Sequence, residues 1–163
     1  MPERQIRLFG DPVLKTASDP IIGIDDRVRG LVQDLVDSVR LPGRAGVAAS
    51  QIGVNLRAFS YNVEGVVGYI LNPTVVELSG EAALVDEGCL SVPGLWYPTE
   101  RYPFARVTGI DLDNNPIELS GTGIMAQALQ HETDHLDGFL YIDRLDKENR
   151  RAAMKEIRES TWF

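Results

Sequence analysis

The chain begins its regular pattern with an apolar residue at every third or fourth position, the period of an amphipathic α-helix. This segment is "DDRVRGLVQDLVDSVRLPG", residues 25–43. Its apolar stripe consists of Val28, Leu31, Val32, Leu35, Val36 and Val39. Asp25 or Asp26 is placed to cap the start, and Pro42-Gly43 ends the pattern. The sequence therefore predicts an N-terminal helix with one buried face.

A second helical pattern extends from about Thr122 to Asp137, and Gly138 is placed to end it. Its inward stripe consists of Ile124, Ala128, His131 and His135. A third segment, "DKENRRAAMKEIRES" (146–160), predicts a short C-terminal helix. The histidines thus continue an apolar stripe, which predicts that they face the interior.

Between Leu56 and Ser120 the pattern is typical of strands. Short β-rich runs are separated by turn residues at Glu64-Gly65, Ser79-Gly80 and Asn114-Asn115-Pro116. These turns predict hairpins and mainly antiparallel sheets. The segment "RAGVAASQIGV" (44–54) is small and irregular, and it predicts a loop that backbone or ligand can approach closely. The predicted fold class is α+β, with mainly antiparallel strands around a central helix, an N-terminal helix and a short C-terminal helix.

Composition and charge narrow the classes of function. With 163 residues, 44% of them hydrophobic and 25% charged, we expect one globular domain over residues 1–163. A net charge of −8 argues against binding of DNA or RNA by the whole surface. No apolar run approaches the ~20 residues that span a bilayer. The start "MPERQIRLFGDPVLK" has no export signal, and a lone cysteine excludes an internal disulfide, so we expect a cytoplasmic protein.

The only two histidines of the chain lie together in "LQHETDHLDG", within the second predicted helix. His131 and His135 are four residues apart, so on a helix they lie on one face and can bind one metal ion. Glu132 projects about 100° away around the helix and flanks such an ion without ligating it. This H-E-x-x-H pattern is typical of hydrolases whose glutamate is the general base for a metal-bound water. The alternative, a solvated helix with two histidines by chance, conflicts with their place in the apolar stripe.

A catalytic zinc-type site needs a third protein ligand. The long form of the motif would have a histidine six residues after the second one, where Tyr141 stands. Glu156 lies at about the separation used by peptidases that take a glutamate from a following helix. Cys89, in "DEGCLSVPG", offers a thiolate, a strong soft ligand. A lone cysteine is more often a buried apolar residue, but the polar and flexible neighbours of Cys89 favour it as the third ligand.

Three blocks of sequence together resemble the peptide deformylase family. "EGCLS" (87–91) and "QHETDHLDG" (130–138) match two motifs completely, and "GVAASQIGV" (46–54) resembles the G-L-A-A-x-Q segment. "FGDPVLK" (9–15) and Arg101 also fit. The blocks occur in the family's order and at similar separations over nearly the whole chain. One H-E-x-x-H motif is a weak signal, whereas three co-ordered blocks are a strong one.

The resemblance implies which residues form the centre of the site. It implies that Cys89, His131 and His135 bind one divalent metal ion. It also implies that Glu132 takes a proton from water and gives it to the departing amine. Coordination by one sulfur and two nitrogens alone would favour Zn²⁺. The resemblance instead implies Fe²⁺, with Zn²⁺, Ni²⁺ or Co²⁺ able to take its place.

The resemblance further implies how the substrate is held. The Gln51 side-chain amide and the Leu90 backbone N–H are expected to stabilise the oxyanion, although Gln51 could instead stabilise its loop. Gly46 is expected to bind substrate through its backbone, and Val47 is expected to lie near the substrate. The expected walls of an apolar pocket are Ile124, Ala128, Leu95, Trp96 and Tyr97.

Three charged residues are expected around the metal ligands. Glu87 and Arg101 are predicted to form an ion pair that fixes the strand of the cysteine. The alternative is an ordinary surface pair, worth at most about 1 kcal/mol. Asp134 is predicted to point away from the metal face and to support its helix by hydrogen bonding.

The departures from the family pattern lie in the first block. Arg44 stands where the family usually has glycine, Val47 where it has leucine, and Ser50 where it has proline. None of these changes removes a predicted ligand or proton carrier. They affect the shape of the entrance loop and the fit of substrate or inhibitor.

The implied activity is removal of the formyl group from N-formyl-methionyl ends of nascent polypeptides, with release of formate. Alternatives are another H-E-x-x-H metallohydrolase, such as a peptidase using Glu156, or an inactive relative that serves as a binding module. The segment from Arg144 onward carries six basic and four acidic residues, against ten and 20 before it. This contrast is compatible with a transient ribosome contact, but we favour a solvated amphipathic helix.

Overall fold

Three α-helices are present in the computed structural model, which describes residues 4–163. They are α1 (Asp26–Val39), α2 (Gly123–Leu136) and α3 (Lys147–Glu159). The Asp25 side chain accepts a hydrogen bond from Val28 N at 3.0 Å and caps α1. Gly138 follows α2 with φ +85°, the left-handed conformation in which helices commonly end. All three predicted helices are therefore present.

The strands form one five-stranded sheet and one separate two-stranded ribbon. They are β1 (Gly46–Ala48), β2 (Ala58–Val63), β3 (Val66–Ser79), β4 (Ala83–Cys89), β5 (Val92–Arg101), β6 (Phe104–Ile110) and β7 (Pro116–Thr122). The sheet has the order β1-β2-β3-β6-β7, and β4 with β5 forms what we call the ribbon. Every pairing between these strands is antiparallel. The α+β class with mainly antiparallel strands is confirmed.

One of the predicted hairpins is wrong. The turns at Glu64-Gly65 and at Asn114-Asn115 join neighbouring paired strands, β2 with β3 and β6 with β7. After Ser79-Gly80, however, the chain leaves the sheet, because β3 pairs with β6 and β4 pairs with β5. Turn residues report that the chain reverses, but they carry no information about the partner of the next strand.

The loop predicted for residues 44–54 is also wrong in part. Residues 46–48 form β1, an edge strand in which Val47 pairs with Ser60 of β2. A 3₁₀ turn, Ala49–Ile52, follows it. Small residues have low strand propensity, and pairing with β2 overrides it here.

The helix α2 lies at the centre of the molecule. Side chains of the sheet alternate between two cores: Val47 and Leu71 pack with α1, whereas Ala48 and Ile70 pack with α2 on the opposite face. A third core joins α3 to the ribbon. The side of α2 that carries the histidines contacts β4 of the ribbon. The sheet and the ribbon thus enclose α2 from two sides.

Two expectations concern membrane spans and an export signal. Among residues 4–163, no helix is both long and apolar enough to cross a bilayer. The expected lack of an export signal involves residues 1–3, which lie outside the described part of the chain.

Candidate metal centre

Helix α2 brings its two histidines together on the face toward the ribbon. The Nε2 atoms of His131 and His135 lie 3.2 Å apart, as expected for side chains four residues apart on a helix. His135 is 1% exposed. The Nδ1 atom of His131 lies 2.6 Å from Oε2 of Glu87. A carboxylate there accepts a hydrogen bond from Nδ1 and orients the ring so that Nε2 faces His135.

The ribbon delivers Cys89 to the same point through a bulge. Cys89 pairs with Val92 and Glu87 pairs with Tyr97, so Gly88 alone lies opposite residues 93–96 of β5. A Cβ on Gly88 would lie 2.9 Å from the ring of Trp96. Residues 93–96 can therefore pack this closely against β4 only because residue 88 is glycine. Cys89 Sγ lies 3.4 Å from His135 Nε2.

The three predicted ligands fit a metal ion. One donor atom from each of Cys89, His131 and His135 lies within 4.8 Å of the others. Donors that share one tetrahedral zinc at its usual bond lengths are separated by roughly 3.3–3.6 Å. Two of the three separations, 3.2 Å between the histidines and 3.4 Å from Cys89 to His135, are close to that range. Glu156, the alternative third ligand, does not belong to this group and instead accepts a hydrogen bond from Tyr97 at 2.5 Å.

The two imidazoles have opposite pKa shifts. Burial lowers the pKa of His135 well below its ordinary value, and the charge of His131 lowers it further. Burial also lowers the pKa of His131, but the charges of Glu132 and Cys89 and hydrogen bonds with Cys89 and Glu87 outweigh it and raise the pKa well above normal. His135 is thus neutral and able to donate a lone pair at neutral pH.

Glu132 is buried beside the cluster with one oxygen unpaired. It is 3% exposed, and its Oε1 atom has no hydrogen-bond partner among the described residues. Burial raises its pKa to about 7, and a carboxyl group with such a pKa can accept and return a proton near neutrality. A divalent cation at the neighbouring donors would lower this pKa, because it favours the charged form.

Glu87 and Arg101 form the expected ion pair, and it is buried. Arg101 Nε and Nη2 donate to the two carboxylate oxygens of Glu87 at 2.9 Å and 2.5 Å. Glu87 is 2% exposed and Arg101 is 4% exposed, so the surface-pair alternative does not apply. The contact of Glu87 with His131 was not predicted, and it connects this pair directly to a proposed ligand.

The predicted hydrogen-bonding role of Asp134 is wrong. Its side chain does not support its own helix but accepts hydrogen bonds from Arg101 and Arg144. The reason is that α2 is enclosed on two sides, so a residue away from the metal still faces protein. Sequence reasoning missed Arg144, and its separation from Asp134 carries no recognisable signal.

Gln51 and Leu90 lie at the rim of the cluster. Gln51 is 1% exposed, and its Oε1 atom accepts a hydrogen bond from Ala48 N at 3.0 Å. This fixes the amide so that Nε2 lies 3.2 Å from Ser91 Oγ and 3.7 Å from Cys89 Sγ. Leu90 lies in the turn after Cys89 and lines the adjoining cavity.

A cavity of about 430 Å³ opens onto the cluster. Of the expected apolar walls, Ile124, Ala128, Leu95 and Trp96 line it, whereas Tyr97 does not. Gly46 lines it as well, beside the Glu132 carboxylate.

Val47 does not line this cavity, which corrects the prediction for this residue. It is fully buried in the core beneath α1 and is absent from the cavity lining. Alternation along β1 turns Val47 to the face of the sheet opposite α2. Arg44 lines the cavity and donates from Nη1 to Ser38 O at 2.9 Å. Ser50 is fully buried, so of the three departures only Arg44 reaches the entrance.

The comparisons with known proteins agree on one family. The family model for polypeptide deformylase matches residues 3–151. A peptide deformylase from Acidothermus cellulolyticus is 49% identical over 162 residues, which cover 99% of this chain and 89% of that protein. The crystal structure of a peptide deformylase from Legionella pneumophila has a TM-score of 0.89 and 33% identity, over 96% of this chain and 94% of that one. That of a peptide deformylase from Ehrlichia chaffeensis in complex with actinonin has a TM-score of 0.87 and 32% identity, over 98% of each chain. The chain therefore belongs to the polypeptide deformylase family of enzymes.

Proposed function

We propose that this protein is a metal-dependent hydrolase that removes the formyl group from N-formyl-methionyl ends of newly made polypeptides and releases formate. One observation carries the proposal: three donor atoms converge beside a buried glutamate that has an unpaired oxygen, at the floor of a cavity. Membership of the polypeptide deformylase family supports it. So does the likeness to a peptide deformylase that binds actinonin.

Cys89, His131 and His135 would hold one divalent ion, for which we propose Fe²⁺, with Zn²⁺, Ni²⁺ or Co²⁺ as substitutes. Such an ion supplies a water of lowered pKa and polarises a carbonyl group. Glu87 orients His131 through Nδ1, and Arg101 holds Glu87 in place. A set of one thiolate and two imidazoles suits each of these metals.

Glu132 is the proposed proton carrier. It accepts a proton from the attacking water at Oε1, which has no hydrogen-bond partner among the described residues. It then delivers that proton to the amide nitrogen as the C–N bond breaks. The products are formate and the free amine of the peptide. The close approach of Gly46 fixes where this carboxylate stands.

Gln51 and Leu90 are the proposed oxyanion donors. The Ala48 N–H holds Oε1 of Gln51, so its NH₂ group is aimed toward Cys89 and the cavity. Gln51→Glu keeps the acceptor and removes this donor. We expect it to lower kcat by about 10²–10³-fold, as for other single oxyanion donors.

The methionine side chain of the substrate is proposed to occupy the apolar part of the cavity, between Ile124, Ala128 and Leu95. Gly46, on an edge strand, is proposed to contact the substrate through its backbone. We further propose that residues 1–163 form a single catalytic domain that acts in the cytoplasm.

The test is anaerobic purification with metal analysis and a formate-release assay on formyl-Met-Ala-Ser. We expect about one metal ion per chain, as in other three-ligand catalytic sites, and formate release by the wild type. Glu132→Gln should retain metal and lose turnover, whereas Cys89→Ser should lose both.

Two results would favour the alternatives. Loss of activity in Glu156→Gln, with Cys89→Ser active, would point to a peptidase-type ligand set. Metal binding by the wild type without formate release would point to an inactive binding module.

A ribosome contact through α3 is the less favoured part of the partner proposal. Ala153 and Ile157 of α3 are fully buried, so deleting the helix would damage a core. The triple variant Arg151→Glu, Lys155→Glu, Arg158→Glu changes only exposed positions. We expect its salt-dependent affinity for ribosomes to equal that of the wild type, and a loss would establish docking.

A further inference from the structure

A line of alternating charges connects the protein surface to His131. Arg144 donates from Nε and Nη2 to Oδ2 and Oδ1 of Asp134, at 2.7 Å in each case. Asp134 Oδ2 also accepts from Arg101 Nη1 at 2.8 Å. Arg101 in turn holds both oxygens of Glu87, and Glu87 lies 2.6 Å from His131 Nδ1. Asp134 is thus shared between two arginines, and Glu87 is shared between Arg101, His131 and Gln127, whose Nε2 donates to Glu87 Oε1 at 3.3 Å.

Charge balance along this line depends on Arg144. Glu87 and Asp134 are two buried anions, and Arg101 is the one buried cation between them. Arg144 supplies the second positive charge from a side chain that is 48% exposed. A buried carboxylate needs its charge paired and its lone pairs satisfied. Without Arg144, Arg101 would be the one described cation paired with Asp134 while it also holds Glu87.

We propose that Arg144 is a positioning residue for the metal ligand His131, acting through Asp134, Arg101 and Glu87. The inference rests on the metal site proposed above. With Asp134 satisfied by Arg144, the guanidinium of Arg101 keeps both of its bonds to Glu87. Glu87 then holds the His131 ring in the orientation that points Nε2 at the ion. Loss of Arg144 draws Arg101 toward Asp134 and loosens Glu87.

Loss of the hydrogen bonds of Arg144 and loss of its charge should change the affinity for the metal ion in opposite directions, so the two effects can be separated. Removing a positive charge would by itself increase the attraction of the site for a divalent cation. Arg144 is half exposed, however, and solvent and salt screen its charge. Lysine keeps that charge but cannot reproduce the two parallel hydrogen bonds to Asp134. Arg144→Lys therefore tests geometry at constant charge.

The experiment compares Arg144→Met and Arg144→Lys with Arg150→Met in the full-length chain. Arg150 is the matched control, because its side chain is 51% exposed and pairs with Asp143 at 3.4 Å. Each protein is loaded with Co²⁺ under anaerobic conditions and titrated with a chelator, and absorption of the cobalt–thiolate bond reports occupancy. Urea denaturation of the metal-free proteins reports stability separately.

We expect both Arg144 variants to bind Co²⁺ about tenfold more weakly than the wild type, the lower end of the range for outer partners of ligands. Arg150→Met should stay within about twofold, since exposed pairs contribute little. The inference would be overturned if Arg144→Lys bound Co²⁺ with wild-type affinity, or if Arg144→Met and Arg150→Met bound it equally well. Lower stability with unchanged affinity would also overturn it, because Arg144 would then have only a structural role. A wild type that binds no cobalt would refute both this inference and the proposed function.

Discussion

Position 46 has no room for a side chain, because the Glu132 carboxylate fills the space beside it. A Cβ on Gly46 would lie 2.5 Å from Oε2 of Glu132, closer than real Cβ atoms approach other atoms. We expect Gly46→Ala to displace the carboxylate by about 1 Å and to lower kcat/KM for formate release about a hundredfold. Metal content of the same sample should be unchanged, since Glu132 is not a proposed ligand.

Gly30→Ala is the control for this substitution. Gly30 is exposed within α1, and nothing lies within 4 Å of a Cβ there. Alanine is the better helix former by up to about 1 kcal/mol, so chemical denaturation should show a more stable protein with unchanged kcat/KM. Wild-type activity in Gly46→Ala would contradict the proposed role of Glu132.

At the level of single residues, the sequence predicts the contacts that depend only on local helix geometry. The pairing of His131 with His135 follows from helical periodicity, and the structure has it. Cys89 is 42 residues away from His131 along the chain, so its candidacy rested on soft-ligand chemistry, its neighbours and a resemblance. Asp134 and Val47 were predicted wrongly, because their surroundings depend on which layers enclose α2 and β1.

At the level of elements, the turn of the ribbon is held from outside. Trp162 Nε1 donates to Pro93 O at 3.1 Å, and Phe9 N donates to Ser91 O at 2.8 Å. Pro93 lines the cavity, so these contacts fix one of its walls. We expect Trp162→Phe, which removes the N–H donor and replaces the indole by a smaller ring, to lower the free energy of unfolding by at least about 1 kcal/mol. KM for a formylated peptide should rise severalfold while kcat is unchanged.

Tyr97→Phe provides the comparison for Trp162→Phe. It removes one hydrogen bond between β5 and α3, from Tyr97 to Glu156, at a residue that does not line the cavity. Stability should fall by a similar amount and KM should stay constant. An equal rise of KM in both variants would show that general destabilisation, not the cavity wall, is responsible.

Elements with strong local signals were predictable, and those that need distant partners were not. The three helices are specified by periodicity and by end residues such as Asp25 and Gly138. By contrast, β1 exists because β2 supplies its hydrogen bonds, and β4 joins β5 instead of β3. The bulge opposite Gly88, next to Cys89, has no periodic sequence pattern that would predict it.

At the scale of the whole molecule, Glu87 contributes a pH dependence to stability. Burial alone would raise the pKa of Glu87, but hydrogen bonds from Arg101 and His131, together with their charges, lower it from 4.5 to about 2. A carboxyl group with a lowered pKa stabilises the folded state fully above its unfolded value. That contribution is lost as the pH falls from 4.5 toward 2. At about 1.4 kcal/mol per pKa unit, it is on the order of 3 kcal/mol.

This contribution can be measured by urea denaturation of metal-free protein from pH 7 to pH 2. The free energy of unfolding should be lower in Glu87→Gln than in the wild type near neutrality, and the difference should shrink as the pH approaches 2. Glu118→Gln, at an exposed pair with Arg106, should follow the wild-type curve. A constant difference between Glu87→Gln and wild type at every pH would exclude the ionisation of Glu87 as the cause.

The separation of the ribbon from the five-stranded sheet has a consequence for local opening. No strand hydrogen bond joins the two among residues 4–163, yet the proposed ion would take one ligand from the ribbon and two from α2. The ion would then act as a cross-link, and at a concentration of 100 times Kd it would add about 2.7 kcal/mol to the folded state. Chelation should therefore accelerate amide hydrogen exchange in residues 83–101 more than in β2 and β3, and Cys89→Ser should exchange at the faster rate with or without chelator.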